Sequence, residues 1–376
     1  MPVYLDCNAT TPIDPEVEQE FLRFVREEFG NAGSRTHEFG ARAKQAVQRA
    51  RDQIASVVKA QREDVIFTSG ATESNNLAIL GLRDHAEKAG RKHIVTTAIE
   101  HKAVLEPLEY LGQNGFEITL LKPGADGAVT AAQVRAALRP ETVLVSVMQV
   151  NNETGIIQPL ADIAAALATH EAYFHVDAAQ GFGKRIPDLL HSRIDLISVS
   201  GHKLYAPKGI GALIVRRRSY NRPPLKPLFF GGGQERGLRP GTLPVALIVA
   251  FGKAAELAVR DQAKRLKRCQ QIKEQALAAF SQLGAVITGD QNQAISSTLN
   301  LSIPGLDSEA VMVALKEMVA ISNGSACTSQ NYTASHVLTA MGLPDDQIRG
   351  ALRFSWCHLT PEVPWAEVAK AVGSLV

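Results

Sequence analysis

In Ser200-Gly201-His202-Lys203 a lysine closely follows an apolar, strand-like run, Leu196 to Ser200. Partial desolvation there would lower its ammonium pKa and leave a neutral amine able to attack a carbonyl carbon. Taken alone, a solvated surface lysine explains the residue as simply. Asp177 likewise ends the apolar run Tyr173-Phe174-His175-Val176. An ionised carboxylate in that setting needs a cationic or multiply hydrogen-bonded partner, and a protonated pyridine nitrogen is one. Capping the following turn is the other use for an Asp at this place. Ser69-Gly70-Ala71-Thr72-Glu73-Ser74-Asn75 follows a β-branched run and opens a helical pattern, so it presents unpaired backbone N–H groups beside a glycine. A phosphate fits such a turn, although Thr72 or Ser74 as an ordinary helix cap accounts for the same residues. Neither G-x-G-x-x-G nor G-x-x-x-x-G-K-[ST] occurs, so the phosphate would belong to a cofactor smaller than a dinucleotide. Cys327 stands in the apolar-poor stretch Asn323-Gly324-Ser325-Ala326-Cys327-Thr328-Ser329, the setting of an accessible thiol. A small core hydrophobe is the usual reading of a lone cysteine, and it suits Cys7, Cys269 and Cys357.

The elements that must position these groups alternate from about residue 63. Strand-like Asp64 to Thr68 precedes helical Ser74 to Ala89, His93 to Thr97 precedes Ala103 to Leu111, and Thr142 to Val150 precedes Leu160 to Ala168. Strand-like Ala172 to Val176 and Leu196 to Ser200 follow. This alternation predicts a mostly parallel sheet covered by helices, with ligands at the carboxyl ends of its strands. Each run ends in a polar or small-residue cluster: Ser69 to Thr72, Glu100-His101, Asn151 to Glu153, Asp177 to Gln180, and Ser200 to Lys203. Clusters in matching places imply one site. After about residue 255 the pattern changes to a long helical stretch reaching Leu283, then Ser297 to Ile303, helical Ser308 to Met318 and strand-like Leu352 to Trp356. Residues 13–255 are therefore expected to form a large domain, and 1–12 with 256–376 a smaller α+β domain.

Composition narrows the function further. With 376 residues, 45% of them hydrophobic, the chain has the apolar material for more than one core, and intrinsic disorder is excluded. Lys plus Arg number 40 against 38 acidic residues, so no broad positive field is available to hold a nucleic acid. The basic clusters Arg216 to Arg218 and Lys264 to Arg268 are short, and a solvated helix face explains the second. Four cysteines without paired spacing suit a reducing cytoplasm. No signal peptide or membrane span is expected, since Lys253 and Glu256 interrupt the most apolar stretch. The histidines show no H-E-x-x-H spacing, which disfavours a metal site, and S-x-x-K lacks the S-D-N and K-T-G companions of serine acyl-transferases.

Taken in order, Leu5-Asp6 with Ala9 to Pro12, Thr68 to Ser74, Glu100 to Val104, Val150 to Glu153 with Gly155, His175 to Gln180, Ser200 to Lys203, Gly231 to Gly237 and Gly324 to Ser329 resemble the pyridoxal-phosphate cysteine desulfurases, the NifS/IscS-like branch of the class V aminotransferases. The resemblance implies an α/β fold of type I with a mostly parallel seven-stranded sheet and a smaller α+β domain. It implies that Lys203 binds the cofactor aldehyde covalently, Asp177 keeps the ring nitrogen protonated, and His101 stacks on the ring and moves protons. Asn152 and Gln180 would bond the phenolic oxygen or its surroundings, and Asn152 would also adjoin the substrate. Ala71, Thr72, Ser200 and His202 would hold the phosphate, Thr242 would reach the phosphate of a neighbouring subunit in a homodimer, and Arg353 would pair with the carboxylate of L-cysteine. Cys327 would take the sulfur as a persulfide, leave alanine, and pass sulfur to a protein acceptor. The Gly-Ser-Ala-Cys-Thr-Ser form resembles the subgroup with the longer catalytic segment. The chain stops at Val376 without the docking extension expected of desulfurases that serve iron–sulfur assembly, so the acceptor stays open between that pathway and DNA phosphorothioate modification. The alternatives are a selenocysteine lyase or another class V transaminase, and a sulfur-carrier scaffold that has lost the cofactor.

Overall fold

The computed structural model describes residues 1–218, 220–303, 305–323 and 334–375. Among these residues the strands are β1 (Val3–Tyr4), β2 (Val65–Thr68), β3 (His93–Thr97), β4 (Glu117–Leu121), β5 (Thr142–Met148), β6 (Tyr173–Asp177), β7 (Leu196–Ser200), β8 (Gly211–Val215), β9 (Val286–Ile287), β10 (Thr298–Ser302), β11 (Val319–Ala320) and β12 (Ala351–Ser355). The large sheet runs in the order β2-β8-β7-β6-β5-β3-β4, and only β8 runs against the rest. Its central strands are buried on both faces, which is why β5, Thr-Val-Leu-Val-Ser-Val-Met, reads as a nearly continuous apolar run without alternation.

Two strands of this sheet fall outside the sequence expectation. The edge strand β4 is partly exposed, with Leu120 at 52% exposure, so its pattern is weak. Strand β8 returns antiparallel from β7 and interrupts the strand–helix alternation on which the reading relied. Its first residue must be small: a Cβ on Gly211 would lie 2.6 Å from the Gly70 Cα, and glycine lets β8 abut the Ser69-Gly70 turn. The expected helix over Ser74 to Ala89 is two helices, Ala71–Leu80 and Arg83–Ala89. Between them the Gly81 carbonyl accepts the Lys226 N–H at 2.9 Å, drawing it toward a distant loop. The long stretch expected after residue 255 likewise divides, into Val245–Arg260 and Gln262–Phe280.

One apolar cluster lies beneath the large sheet, joining Phe67, Val145, Phe174 and Ile197 to Phe251 and Ala254 of the Val245–Arg260 helix. A separate cluster gathers Phe280, Leu301, Val319, Phe354, Trp356 and Trp365, and Leu5 belongs to it. The chain's first residues reach it because β1 pairs in parallel with β11, Val3 opposite Val319. Much of the basic residues' charge is used internally: Arg216 donates to the Leu189 carbonyl at 2.8 Å, Arg218 pairs with Asp195 at 2.7 Å, and Arg265 with Asp14 at 2.8 Å. Among the described residues no helix is long and apolar enough to cross a membrane.

Candidate active site

The carboxyl ends of the central strands open onto a cavity of about 590 Å³. Ala71, Thr72, His101, Asn152, Asp177, Gln180, Ser200, His202, Lys203 and Arg353 all line it. Thr242 does not line it and is exposed, while Cys327 lies outside the described residues.

Asp177 ends β6 and is 5% exposed. Its Oδ2 accepts from Asn75 Nδ2 at 2.7 Å and its Oδ1 from the Ala179 N–H at 2.9 Å. The Asp therefore caps the turn and still lines the cavity; one use does not exclude the other. Lys203 sits in the short turn Gly201–Lys203 after β7, and its Nζ donates to the carbonyls of Asn8 and Ala9. The helix Ala71–Leu80 begins at Gly70, which has no side chain to cap it. That helix end lies at the cavity wall with Ser200, His202 and Lys208 around it, an arrangement chemically able to receive an anion.

His101 occupies the cap of the helix Lys102–Gln113, where its Nδ1 accepts the Ala103 N–H at 3.0 Å. That bond leaves the ring proton on Nε2, and burial holds the imidazole pKa below its ordinary value, with the Lys203 charge acting the same way. Burial also brings His202 down to about 4, helped by Lys203 and Lys208. Glu100, immediately before His101, is fully buried; its Oε1 accepts from Thr97 Oγ1 at 2.7 Å and from the Met148 N–H at 2.8 Å. Burial pushes this carboxyl up to about 8, which favours its neutral form.

Arg353 comes from β12, within the second apolar cluster's sheet, and is 5% exposed. Its Nη2 donates to Asp6 Oδ1 at 2.6 Å and its Nη1 to the Asn152 carbonyl at 3.2 Å, while its Nε is buried with no partner among the described residues. The N-terminal turn thus enters the site directly. Asn8 accepts from Lys203 and from Gln180 Nε2 through its carbonyl, and donates through Nδ2 to the Asn152 carbonyl at 3.0 Å. Asp6, Asn8 and Asn75 are site residues to which the sequence reading gave no role. A signal existed only for Asn75, since Ser74 and Asn75 are polar residues buried on a helix that otherwise buries Leu77, Ala78 and Ile79.

The donor set fits pyridoxal phosphate. A capless helix end suits the phosphate, the supported Asp177 carboxylate suits a protonated ring nitrogen, and the buried Oε1 of Gln180 and Oδ1 of Asn75 have no partner among the described residues, which marks polar capacity for a ligand.

The class-V aminotransferase family pattern matches residues 3–362. A cysteine desulfurase, IscS, of Methylococcus capsulatus is 46% identical over 356 residues, 94% of this chain and 87% of that protein. Among solved structures, DndA from Streptomyces lividans is 52% identical and superposes with a TM-score of 0.83 over 93% of this chain and 98% of its own. SspA in complex with cysteine is 37% identical, with a TM-score of 0.83 over 96% and 99% of the two chains. With its strand-end cavity and this breadth of similarity, the chain belongs to the class-V aminotransferase family and is one of its cysteine desulfurases.

Proposed function

We propose that the enzyme holds pyridoxal 5'-phosphate through Lys203 and uses it to convert L-cysteine to L-alanine, with the sulfur passing to Cys327. The carrying observation is that Lys203, Asp177, His101 and Arg353, far apart in the chain, line one cavity. The bound cofactor supplies an electron sink for the substrate's α-carbon. Asp177, fixed by Asn75 and the Ala179 N–H, keeps the ring nitrogen protonated. Ala71, Thr72, Ser200 and His202 hold the phosphate, and Asn152 and Gln180 flank the phenolic oxygen. His101, its Nδ1 engaged by Ala103, has Nε2 left to carry a proton. Arg353 receives the substrate carboxylate in its planar fork, and SspA, solved with cysteine, supports that substrate.

Cys327 as thiolate attacks the sulfur of cysteine, an S–S bond forms, the C–S bond breaks with its electron pair on the β-carbon, and protonation there gives alanine. Thiol and cysteine become persulfide and alanine with no outside oxidant. Residues 13–255 act as the cofactor domain, and residues 1–12 with 256–376 as the smaller domain bearing Cys327; the separate apolar clusters support this division. A homodimer in which Thr242 reaches the neighbouring phosphate is supported by exposed Phe230, at 86% exposure, and Phe229 on the preceding loop. Similarity to DndA favours a cytoplasmic protein acceptor in DNA phosphorothioate modification.

Alanine and protein-bound sulfur, measured together from sulfur-labelled L-cysteine, test this reading. Equal amounts, with the label on the Cys327 peptide and released by reductant, are expected. Label that maps to Cys7, Cys269 or Cys357 would overturn it.

A further inference from the structure

Cys7 lies in the middle of the N-terminal turn that enters the active site. Asp6 before it engages Arg353, and Asn8 after it engages Lys203 and Gln180. Cys7 itself does not line that cavity. It packs with Cys357 and Tyr205, and both cysteines border a second cavity of about 370 Å³ between the turn and the segment Leu359-Thr360-Pro361. The backbones run side by side here: the Cys7 N–H donates to the Ser355 carbonyl at 3.0 Å, and Asp6 bridges Ser355 in parallel.

The thiols are not equivalent. Thr360 Oγ1 donates to the Cys357 sulfur at 3.8 Å, and the neighbouring Cys7 thiol, this bond and the charge of Lys184 outweigh burial and hold Cys357 down at about 7. Cys7, buried beside that sulfur, is pushed up by it and by burial. Burial holds the nearby Cys269 up at about 12. Two thiols packed together at the edge of one cavity, one held down and the other pushed up, are an arrangement suited to oxidation rather than simple packing.

We propose that Cys7 and Cys357 are a modification site at which a hydroperoxide forms a disulfide, and that closing it pulls the Asp6 to Asn8 turn off Arg353 and Lys203. The Cys357 thiolate attacks one peroxide oxygen, the O–O bond breaks, and hydroxide leaves a sulfenic acid. Hydroxide takes the Cys7 proton, the Cys7 thiolate attacks the sulfenic sulfur, and the S–O bond breaks. The two sulfurs lose two electrons, and hydrogen peroxide becomes water and hydroxide. With Cys7 at 2% and Cys357 at 1% exposure, a water-sized oxidant reaches them and oxidised glutathione does not. The effect on cysteine binding rests on the role given to Arg353; the cross-link does not.

The test uses the Cys327→Ser holoenzyme, so that the other reactive thiol is silent, treated with hydrogen peroxide or with oxidised glutathione. Non-reducing peptide maps are expected to show Cys7 linked to Cys357 with peroxide alone, and hydrogen exchange in residues 4–12 is expected to rise severalfold and return with dithiothreitol. Free thiols after peroxide, linkage through Cys269, or equal reaction with oxidised glutathione would overturn the site, and unchanged exchange in the linked protein would overturn the pull on the turn. Linked protein with faster exchange but unaltered affinity for cysteine would count against the role of Arg353 and leave the thiol pair standing.

Discussion

Asn75 donates through Nδ2 to Asp177 Oδ2 at 2.7 Å from a helix that begins 106 positions earlier than the aspartate, and the Ala179 N–H holds the other oxygen at 2.9 Å. Both bonds fix the carboxylate's orientation at the cavity wall, where a protonated ring nitrogen would meet it. Asp177→Asn keeps the shape and removes the charge. Turnover should fall by about a hundredfold, roughly 2.7 kcal/mol of barrier, while cofactor content falls much less. Absorbance for cofactor and alanine release for turnover check this, and full activity at saturating cysteine would deny Asp177 its role.

Arg353→Lys retains a positive charge but loses the fork that reaches both Asp6 and the Asn152 carbonyl. A lost charge-assisted hydrogen bond of about 1.5–3 kcal/mol should raise KM for cysteine by about one to two orders of magnitude, with a smaller change in kcat. Steady-state alanine production reads the two separately.

Glu100 gives a stability effect of known sign. Its folded pKa, near 8, lies above the ordinary carboxylate value of 4.5, so the unfolded chain releases a proton across that window and the native state does not. Stability from this group is complete below about 4.5 and is lost as pH rises toward 8. Glu100→Gln should therefore gain on the parent by on the order of 1.4 kcal/mol per pH unit crossed, an upper bound. Urea midpoints at pH 5 and pH 8 check this; a gain larger at pH 5 would contradict it.

The buried histidines act oppositely. His175 is held between Ser146 Oγ at 2.8 Å and Ser198 Oγ at 2.9 Å, and burial lowers it to about 3; His202 is lowered to about 4. Their folded values lie below the ordinary 6.5, so the unfolded chain binds the extra protons, and stability falls as pH drops from about 6.5 toward 4. Measured in Glu100→Gln, which removes one of the two carboxyls, Glu100 and Glu153, that burial raises, the urea midpoint should decline more steeply with falling pH over that range than in the parent.

Residues that follow a strand directly were legible in the sequence, because an apolar run and the polar cluster ending it are neighbours in the chain. Asp177, Lys203, His101 and Asn152 were found in that way. Asp6 and Asn8 were not assigned, since their partners Arg353 and Lys203 lie 347 and 195 positions away and no local pattern encodes the pairing. Strand β8 escaped for a related reason: its place depends on its first residue, Gly211, fitting against Gly70 in a turn 141 positions earlier. The role of Arg353 came through family resemblance, as a lone arginine in an apolar strand says only that it must find a counter-charge.

Borohydride reduction of the purified protein, followed by peptide mapping, addresses the cofactor assignment on which the whole site depends. A pyridoxyl group is expected on Lys203, the lysine whose Nζ rests on the carbonyls of Asn8 and Ala9 beside Asp177. A pyridoxyl group on any other lysine, or none after reconstitution with pyridoxal phosphate, would contradict the account.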